Sequence, residues 1–316
     1  MNAEYRNRLP QLTGKPFLTD GGLETTLVFH DGFDLPLFAA FPLLRDARGK
    51  AALDRYMRRY AEIAISHGKG LVLDTPTWRA SSRWAAELGY SQEALKDVHR
   101  DAVSALMELR KELQTLATPM VINGAIGPQD DGYNPETFMS ADAAADYHGP
   151  QIEWFSEFGA DMVSAITMTY VEEAQGIARA AKAAGMPCVV SFTVETDGRL
   201  PSGDSLRSAI EAVDRDTDGS PAYFMINCAH PDHFASVVNE PGEWRQRIMG
   251  LRANASRMSH EELDNADELD EGNPSELGQQ YRALRDALPN LAVLGGCCGT
   301  DHRHVEAISR NGMQHA

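Results

Sequence analysis

Short apolar runs, rich in β-branched residues, recur along the whole chain and alternate with segments of helical periodicity. Each run is short enough to be a strand, and its near-continuous apolar character is typical of strands buried on both faces. Eight such runs lie at residues 16–20, 71–75, 120–124, 161–167, 188–193, 223–228, 248–253 and 291–295. The pattern predicts eight buried strands.

The segments between these runs predict amphipathic helices. The clearest lie at residues 53–66, 91–114, 141–158, 171–184 and 274–288. Glycine follows several of them, at Gly68, Gly159 and Gly185, where a left-handed residue commonly ends a helix. Eight strands that alternate with helices predict an α/β protein with a parallel sheet, and eight βα units fit a (β/α)8 TIM barrel. We therefore predict a single barrel domain at residues 16–316, preceded by an N-terminal extension at residues 1–15.

The main alternative fold is a doubly wound sheet. Such sheets usually carry a glycine-rich nucleotide loop after the first strand, but residues 20–24 read Asp-Gly-Gly-Leu-Glu, which is not that loop. The acidic stretch at residues 261–276, between the seventh and eighth runs, lacks the glycine that a calcium-binding EF-hand loop requires. We expect this stretch to be a solvated insertion.

The charge balance narrows the classes of partner. The chain of 316 residues has 29 basic and 46 acidic side chains and a formal net charge of −17, which argues against nucleic acid or an anionic membrane. The sequence also shows no signal peptide and no apolar run of membrane-spanning length. Four cysteines are too few for a disulfide scaffold, so we expect a cytoplasmic protein. A homo-oligomer is compatible with a barrel of this size.

Three of the four cysteines fall at strand ends that share one face of the predicted barrel. Cys228 ends the sixth run, and Cys297 and Cys298 follow the eighth run inside a Gly-Gly-Cys-Cys-Gly-Thr motif. Active sites of TIM barrels lie at the C-terminal ends of the strands. We hypothesise that these three sulfurs bind zinc; the alternative is that they only fill the core, as free cysteines often do. Cys188 opens the fifth run and is predicted to be a core residue on the opposite rim.

Three thiolates indicate a zinc site that works on a substrate. Structural zinc sites are closed by four protein ligands, whereas catalytic sites keep one position open. His230, His302 and His304 are close enough in sequence to be alternative fourth ligands. If the position is open, the site is suited to holding a substrate thiol as its thiolate. The implied reaction is alkyl transfer onto a thiol.

Five motifs lie at or near the predicted strand ends: Leu-Thr-Asp-Gly-Gly at 18–22, Thr-Pro-Thr-Trp-Arg-Ala-Ser at 75–81, Gly-Pro at 127–128, Asn-Cys at 227–228 and Gly-Gly-Cys-Cys-Gly-Thr at 295–300. Through these motifs the sequence over residues 16–308 resembles the homocysteine S-methyltransferase family. These zinc-dependent barrels methylate homocysteine from betaine, S-methylmethionine, S-adenosylmethionine or methyl-cobalamin. The resemblance implies a Zn²⁺-dependent transferase of methionine biosynthesis.

The resemblance also implies roles for individual residues. Cys228, Cys297 and Cys298 become the zinc ligands that activate the acceptor thiol. The residues expected around the substrate are Asp20, Gly21, Gly22, Thr75, Thr77, Trp78 and Asn227. Trp78 would face a donor cation, since aromatic faces bind sulfonium and quaternary ammonium groups. For the side chains in this set, an ordinary packing or hydrogen-bonding role is the alternative.

The fourth strand departs from the family pattern. It usually ends in Glu-Thr, whose carboxylate binds the amino group of homocysteine, but here Ile166 precedes Thr167. An unpaired ammonium in a closed pocket would cost several kcal/mol. Either Glu195, after the fifth run, supplies the carboxylate, or the acceptor is not homocysteine. The seventh strand departs as well, with Ala-Asn-Ala-Ser at 253–256 in place of Pro-Asn-x-Gly.

Three functional hypotheses follow. The first is a zinc-dependent S-methyltransferase that transfers a methyl group from a sulfonium or ammonium donor to homocysteine and gives methionine. The second changes the acceptor to another small thiol or selenol. The third is a non-catalytic zinc-bound barrel that binds an amino acid or a partner. A shell closed by four protein ligands would favour the third hypothesis, and an exchangeable fourth position the first two.

Overall fold

The computed structural model describes residues 3–312, and its eight strands form a closed parallel barrel in chain order. Each strand pairs with the next, and β8 closes the barrel by pairing Val293 with Phe17 of β1. The strands are β1 (Phe17–Leu18), β2 (Gly70–Asp74), β3 (Met120–Ile126), β4 (Met162–Met168), β5 (Cys188–Phe192), β6 (Tyr223–Asn227), β7 (Ile248–Ala253) and β8 (Val293–Gly296). The TIM-barrel prediction is confirmed, and the doubly wound sheet is wrong. The boundary between an N-terminal extension at residues 1–15 and a barrel domain at residues 16–316 stays a prediction. Residues 1–2 of the extension and residues 313–316 of the barrel domain lie outside the described residues.

Helices follow the strands as the periodicity predicts. They are α1 (Leu23–Thr25), α2 (Ala47–Ser66), α3 (Ser82–Glu87), α4 (Gln92–Leu113), α5 (Ala141–Phe158), α6 (Val171–Ala183), α7 (Leu206–Thr217), α8 (Pro231–Val238), α9 (His260–Asp264), α10 (Pro274–Ala287) and α11 (His302–Ala307). Helix α2 begins before its predicted start because the Asp46 side chain accepts a hydrogen bond from the Gly49 N–H and caps the first turn. Within residues 3–312, none of the helices is both long and apolar enough to cross a bilayer.

Two apolar layers form the core. The larger one lies between the strands and the surrounding helices. The smaller one fills the barrel and consists of Leu9, Phe17, Val72, Val121, Met162, Ile166, Val189, Tyr223, Met225 and Val293. Its member Leu9 comes from the segment before β1, so that segment helps to fill the N-terminal end of the barrel.

A fully buried carboxylate ties the N-terminal segment to the barrel. Asp161, immediately before β4, accepts hydrogen bonds from the backbone N–H groups of Glu4 and Tyr5, each at 2.8 Å. It also accepts from the Ile122 N–H at 2.8 Å and from Arg110 Nη1 at 2.6 Å. Because all these donors converge on one buried side chain, Asp161 joins the start of the chain to β3 and α4.

Replacing Asp161 by asparagine tests this junction. Asp161→Asn should lower the free energy of unfolding by about 3 kcal/mol or more, since the buried Arg110 guanidinium loses its close counter-charge and keeps only the partly exposed Glu4 at 3.6 Å. Urea unfolding followed by circular dichroism measures the change. The matched control is Asp54→Asn, which breaks an exposed pair with Arg58 and should cost less than about 1 kcal/mol. Equal effects of the two variants would contradict the proposed junction.

Candidate active site

The C-terminal ends of the strands surround a cavity of about 570 Å³. Its apolar wall includes Phe29, Leu37, Phe38, Trp78, Trp84 and Ile166, and its polar lining includes the three cysteines at the ends of β6 and β8. A concave, largely apolar site with a few convergent polar groups is typical of small-molecule binding. The cavity is therefore the candidate active site.

The three sulfurs of Cys228, Cys297 and Cys298 lie within 4.8 Å of one another, as the sequence predicted from their strand ends. Cys228 follows β6 with a left-handed φ of +56°, which turns its side chain toward the β8 loop. Cys297 and Cys298 are adjacent, yet both face the cavity because β8 ends at Gly296 and the alternation of the strand stops there. The cluster is a candidate metal site.

The turn after β1 packs directly against residues 297–300, the loop after β8 that carries Cys297 and Cys298 and is called the cysteine loop below. A Cβ atom on Gly22 would lie 2.7 Å from the Cys297 carbonyl oxygen, and one on Gly295 would overlap Thr19 Oγ1. The Gly22 N–H donates to the Thr300 carbonyl at 2.9 Å, and the Gly299 N–H donates to Thr25 Oγ1 at 3.2 Å. Glycine is required at these positions because the two backbones approach too closely for a side chain.

A buried arginine holds the two carboxylates at the ends of β1 and β2. Arg252, on β7, pairs through Nη2 with Asp20 and through Nη1 with Asp74, and its Nε donates to the Gly296 carbonyl at 3.3 Å. Burial raises the pKa of Asp20 to about 7, although the Arg252 charge acts in the opposite direction. Asp20, Gly21 and Gly22 line the cavity, and the Asp20 carboxylate is already paired, so their role in substrate binding stays a prediction. The sequence signal for Arg252 was a single charged residue inside an apolar strand.

The environment of Cys297 favours its thiolate. Hydrogen bonds from Cys228 and Cys298 lower the pKa of the Cys297 thiol well below its ordinary value, and the Arg252 charge contributes in the same direction. Asn227 Nδ2 lies 3.9 Å from Cys297 Sγ, while its Oδ1 accepts from the Thr167 N–H at 3.0 Å. Asn227 itself does not line the cavity, so its position fits a donor behind the sulfurs rather than a substrate contact.

The Thr-Pro-Thr-Trp-Arg-Ala-Ser motif at residues 75–81, which follows β2, supplies one cavity residue fewer than expected. Thr75 and Trp78 line the cavity, but Thr77 lies behind it, where its hydroxyl donates to the Ala125 carbonyl at 2.8 Å. Trp78 Nε1 donates to the Ile166 carbonyl at 3.2 Å. The Arg79 guanidinium already lies over the Trp78 ring, 4.3 Å from its centroid. One face of this indole is therefore occupied by a cation of the protein itself.

The prediction that Glu195 supplies a pocket carboxylate is corrected by the structure. After β5 the chain turns, with the Glu195 N–H donating to the Arg199 carbonyl at 2.7 Å, and Glu195 is not among the residues that line the cavity. Its Oε1 lies 2.9 Å from His260 Nδ1 instead. Ile166, in contrast, lines the cavity beside Thr167, so β4 presents an aliphatic side chain and a threonine there but no carboxylate.

The three histidines that were alternative fourth ligands do not approach the sulfurs. His230 caps α8, and its Nδ1 accepts from the Asp232 N–H at 3.2 Å. His302 begins α11, and His304 Nε2 lies 2.8 Å from the Glu271 carbonyl. Among the described residues, the ligand atoms grouped at this site are the three sulfurs.

Tyr133 is a cavity residue that sequence reasoning missed. Its hydroxyl lies 3.0 Å from Cys228 Sγ and 3.5 Å from Cys298 Sγ, and its ring stacks on His260 with centroids 4.0 Å apart. The loop that carries it, after β3, is ordered by Asp130, which accepts from the Glu136 and Thr137 N–H groups. Nothing in the local sequence indicates that this loop reaches the sulfurs.

The cavity lining is strongly acidic. Its carboxylates are Asp20, Glu24, Asp74, Asp131, Asp264, Glu268 and Asp270, and its cations are Arg79 and Arg252. The acidic stretch expected as a solvated insertion is indeed exposed in part, but Asp264, Glu268 and Asp270 also border the cavity. Glu24 is half-buried, and burial raises its pKa to about 7, with the neighbouring Cys297 adding to the effect.

Fold and site together define a barrel enzyme with a three-cysteine candidate metal centre. The sequence model of the family described as homocysteine S-methyltransferase matches residues 17–311. The chain belongs to this family and is an S-methyltransferase.

Named relatives match along most of their length. Homocysteine S-methyltransferase 1 of Brassica oleracea var. italica is 22% identical over 93% of this chain and 92% of its own. Selenocysteine Se-methyltransferase from the same plant is 24% identical over 94% of this chain and 89% of its own. Two crystal structures of the homocysteine methyltransferase MmuM from Escherichia coli share the fold. The oxidized form has a TM-score of 0.74 at 18% sequence identity, and the match covers 94% of this chain and 96% of MmuM. The metallated form has a TM-score of 0.72 at 17% identity, and the match covers 95% of this chain and 97% of MmuM.

Thiol alkylation separates the core cysteine from the site cysteines. Burial raises the pKa of Cys188 to about 12, so at pH 8 very little thiolate is present and iodoacetamide should modify it more than about 100-fold more slowly than an exposed thiol. Peptide mapping of chelator-treated native protein should find label on Cys297 and Cys298, which are half-buried, before Cys188. In urea all four thiols should react, which serves as the control. Labelling of Cys188 in the native protein at the rate of the other cysteines would contradict its assignment to the core.

Proposed function

We propose that this protein is a zinc-dependent methyltransferase that transfers a methyl group from a cationic donor to the sulfur of homocysteine, giving methionine. The observation that carries the proposal is the convergence of three cysteine sulfurs within 4.8 Å at the C-terminal face of the barrel, inside a cavity large enough for small molecules. Family membership supports the same reaction class.

The donor set fits zinc with one position left for substrate. Cys228, Cys297 and Cys298 would hold the ion, and three protein ligands with an open fourth position are typical of catalytic zinc sites. A free thiol with a pKa near 8.5 is only about 3% ionised at pH 7. Zinc, when bound, supplies the missing ionisation, because a coordinated thiol is deprotonated outright. The gain in thiolate is about 30-fold, which corresponds to about 2 kcal/mol of the barrier.

The cavity charge suits a positively charged methyl donor. Seven carboxylates and two guanidinium groups line it, so the net field favours a sulfonium or quaternary ammonium group. In the transfer, the bond from the acceptor sulfur to the methyl carbon forms as the bond from the donor heteroatom to that carbon breaks. The broken bond's electron pair stays with the donor, which leaves as a neutral group. Losing its positive charge weakens its attraction to the acidic lining and favours its release.

Another small thiol or a selenol as the acceptor is the second candidate. The observation that favours it is Ile166, because this residue gives the end of β4 an apolar surface where the family pattern has a carboxylate. One relative is named as a selenocysteine Se-methyltransferase. Both candidates use the same three sulfurs and differ only in the acceptor.

X-ray absorption at the zinc edge tests the proposal. Addition of homocysteine to the purified zinc protein should raise the number of sulfur neighbours from about three to about four, since the open position takes the acceptor thiol. Addition of selenocysteine should give one selenium neighbour if that acceptor binds instead. Cys298→Ser is the control, and it should lose one protein sulfur before any thiol is added. A shell that is unchanged by both acceptors would overturn the proposed function.

A further inference from the structure

One carboxylate in the cavity has no partner that explains its position. Asp20 and Asp74 pair with Arg252, and Asp131 pairs with Arg79 at 3.3 Å. Asp264 and Glu268 are exposed, so water can solvate them. Asp270 is half-buried, but its Oδ1 accepts a hydrogen bond from the Gly272 N–H at 3.0 Å. Glu24 is half-buried and, within residues 3–312, takes part in no ion pair.

The backbone around Glu24 is fixed to the cysteine loop on both sides. Gly22, two residues earlier, donates its N–H to the Thr300 carbonyl at 2.9 Å, and Thr25, one residue later, accepts the Gly299 N–H at 3.2 Å. Glu24 therefore belongs to the same rigid unit as Cys297 and Cys298. Glu24 also lines the same cavity as Cys228, Cys297 and Cys298, so a molecule whose sulfur lies among the cysteines shares the cavity with this carboxylate.

A half-buried carboxylate without a counter-charge is costly to maintain, and a ligand cation would compensate it. The end of β4 cannot provide such a group, because Ile166 is apolar, and Glu195 is turned toward His260. We propose that Glu24 binds the ammonium group of the acceptor amino acid and so selects an amino-acid thiol or selenol over a simple one. This inference rests on the proposed function, since it places the acceptor sulfur at the three cysteines.

The donor is the other cation that Glu24 could contact. Its position argues for the acceptor, because Glu24 is fixed to the cysteine loop, whereas the carboxylates Asp264 and Glu268 lie in the exposed stretch that borders the cavity. The experiment below separates the two roles by changing the acceptor's amino group alone.

The test compares homocysteine with 4-mercaptobutyrate, which is the same thiol without the amino group. Isothermal titration of zinc-loaded wild-type protein, without donor, should show a preference for homocysteine. Glu24→Gln is nearly isosteric and should reduce that preference about 10- to 100-fold, since a charged hydrogen-bonded pair is lost. Binding of 4-mercaptobutyrate itself should change little. The matched control, Glu195→Gln, removes the competing carboxylate and should leave the preference unchanged.

Each other outcome overturns the inference in a distinguishable way. If Glu24→Gln keeps the full preference for homocysteine, another group binds the ammonium. If the preference is kept while the KM of the methyl donor rises, Glu24 serves the donor. If the preference falls in Glu195→Gln instead, the carboxylate is Glu195. If neither thiol nor selenol adds a neighbour to the zinc shell of the wild-type protein, the proposed function and this inference fail together.

Discussion

The site depends on one buried guanidinium that joins three strand ends. Arg252 reaches from β7 past β8 to Asp20 after β1 and Asp74 at the end of β2. It can do so because β8 ends in two glycines, and its Nε donates to the carbonyl of the second, Gly296. One cation between two buried carboxylates leaves a net negative charge, so neither carboxylate is fully compensated, and the strand ends cannot separate without exposing charges that lack partners. The cysteine loop begins at the next residue and takes its position from this arrangement.

The same electrostatic arrangement has opposite consequences for the two substrates of the proposed reaction. The positive charge of Arg252 contributes to lowering the pKa of Cys297 and favours thiolate there. In the cavity lining as a whole, acidic residues outnumber the two guanidinium groups and favour a cationic ligand. A thiolate nucleophile and a cationic methyl donor carry opposite charges, and the charge of both is lost in the transfer. An active site for this reaction therefore needs cationic support near the sulfur and anionic support near the donor.

Much of this architecture could be predicted from the sequence because buried parallel strands and amphipathic helices leave distinct periodicities. The positions of Cys228, Cys297 and Cys298 followed from the rule that strand ends share one face. Side chains beyond the strand ends could not be placed in this way. The direction of Glu195 depends on the turn that follows β5, and the approach of Tyr133 to the sulfurs depends on a loop held by Asp130. The pairing of Asp20 with Arg252 depends on contacts between residues far apart in sequence. The acidic stretch was read from its composition alone, which does not indicate that it borders the cavity.

The apolar residue at the end of β4 need not mean that recognition of an amino group is lost. In a barrel, all eight strand ends surround the same cavity, so a group bound there can be approached from several positions in the sequence. What the chemistry fixes is the position of the ammonium relative to the sulfur, and not the strand that supplies its counter-charge. Glu24, after β1, is beside the cysteine loop although it is not on β4, because the residues on either side of it are hydrogen-bonded to the loop at Thr300 and Gly299. Ile166, which stands where the family pattern has a glutamate, is part of the apolar wall that includes Trp78.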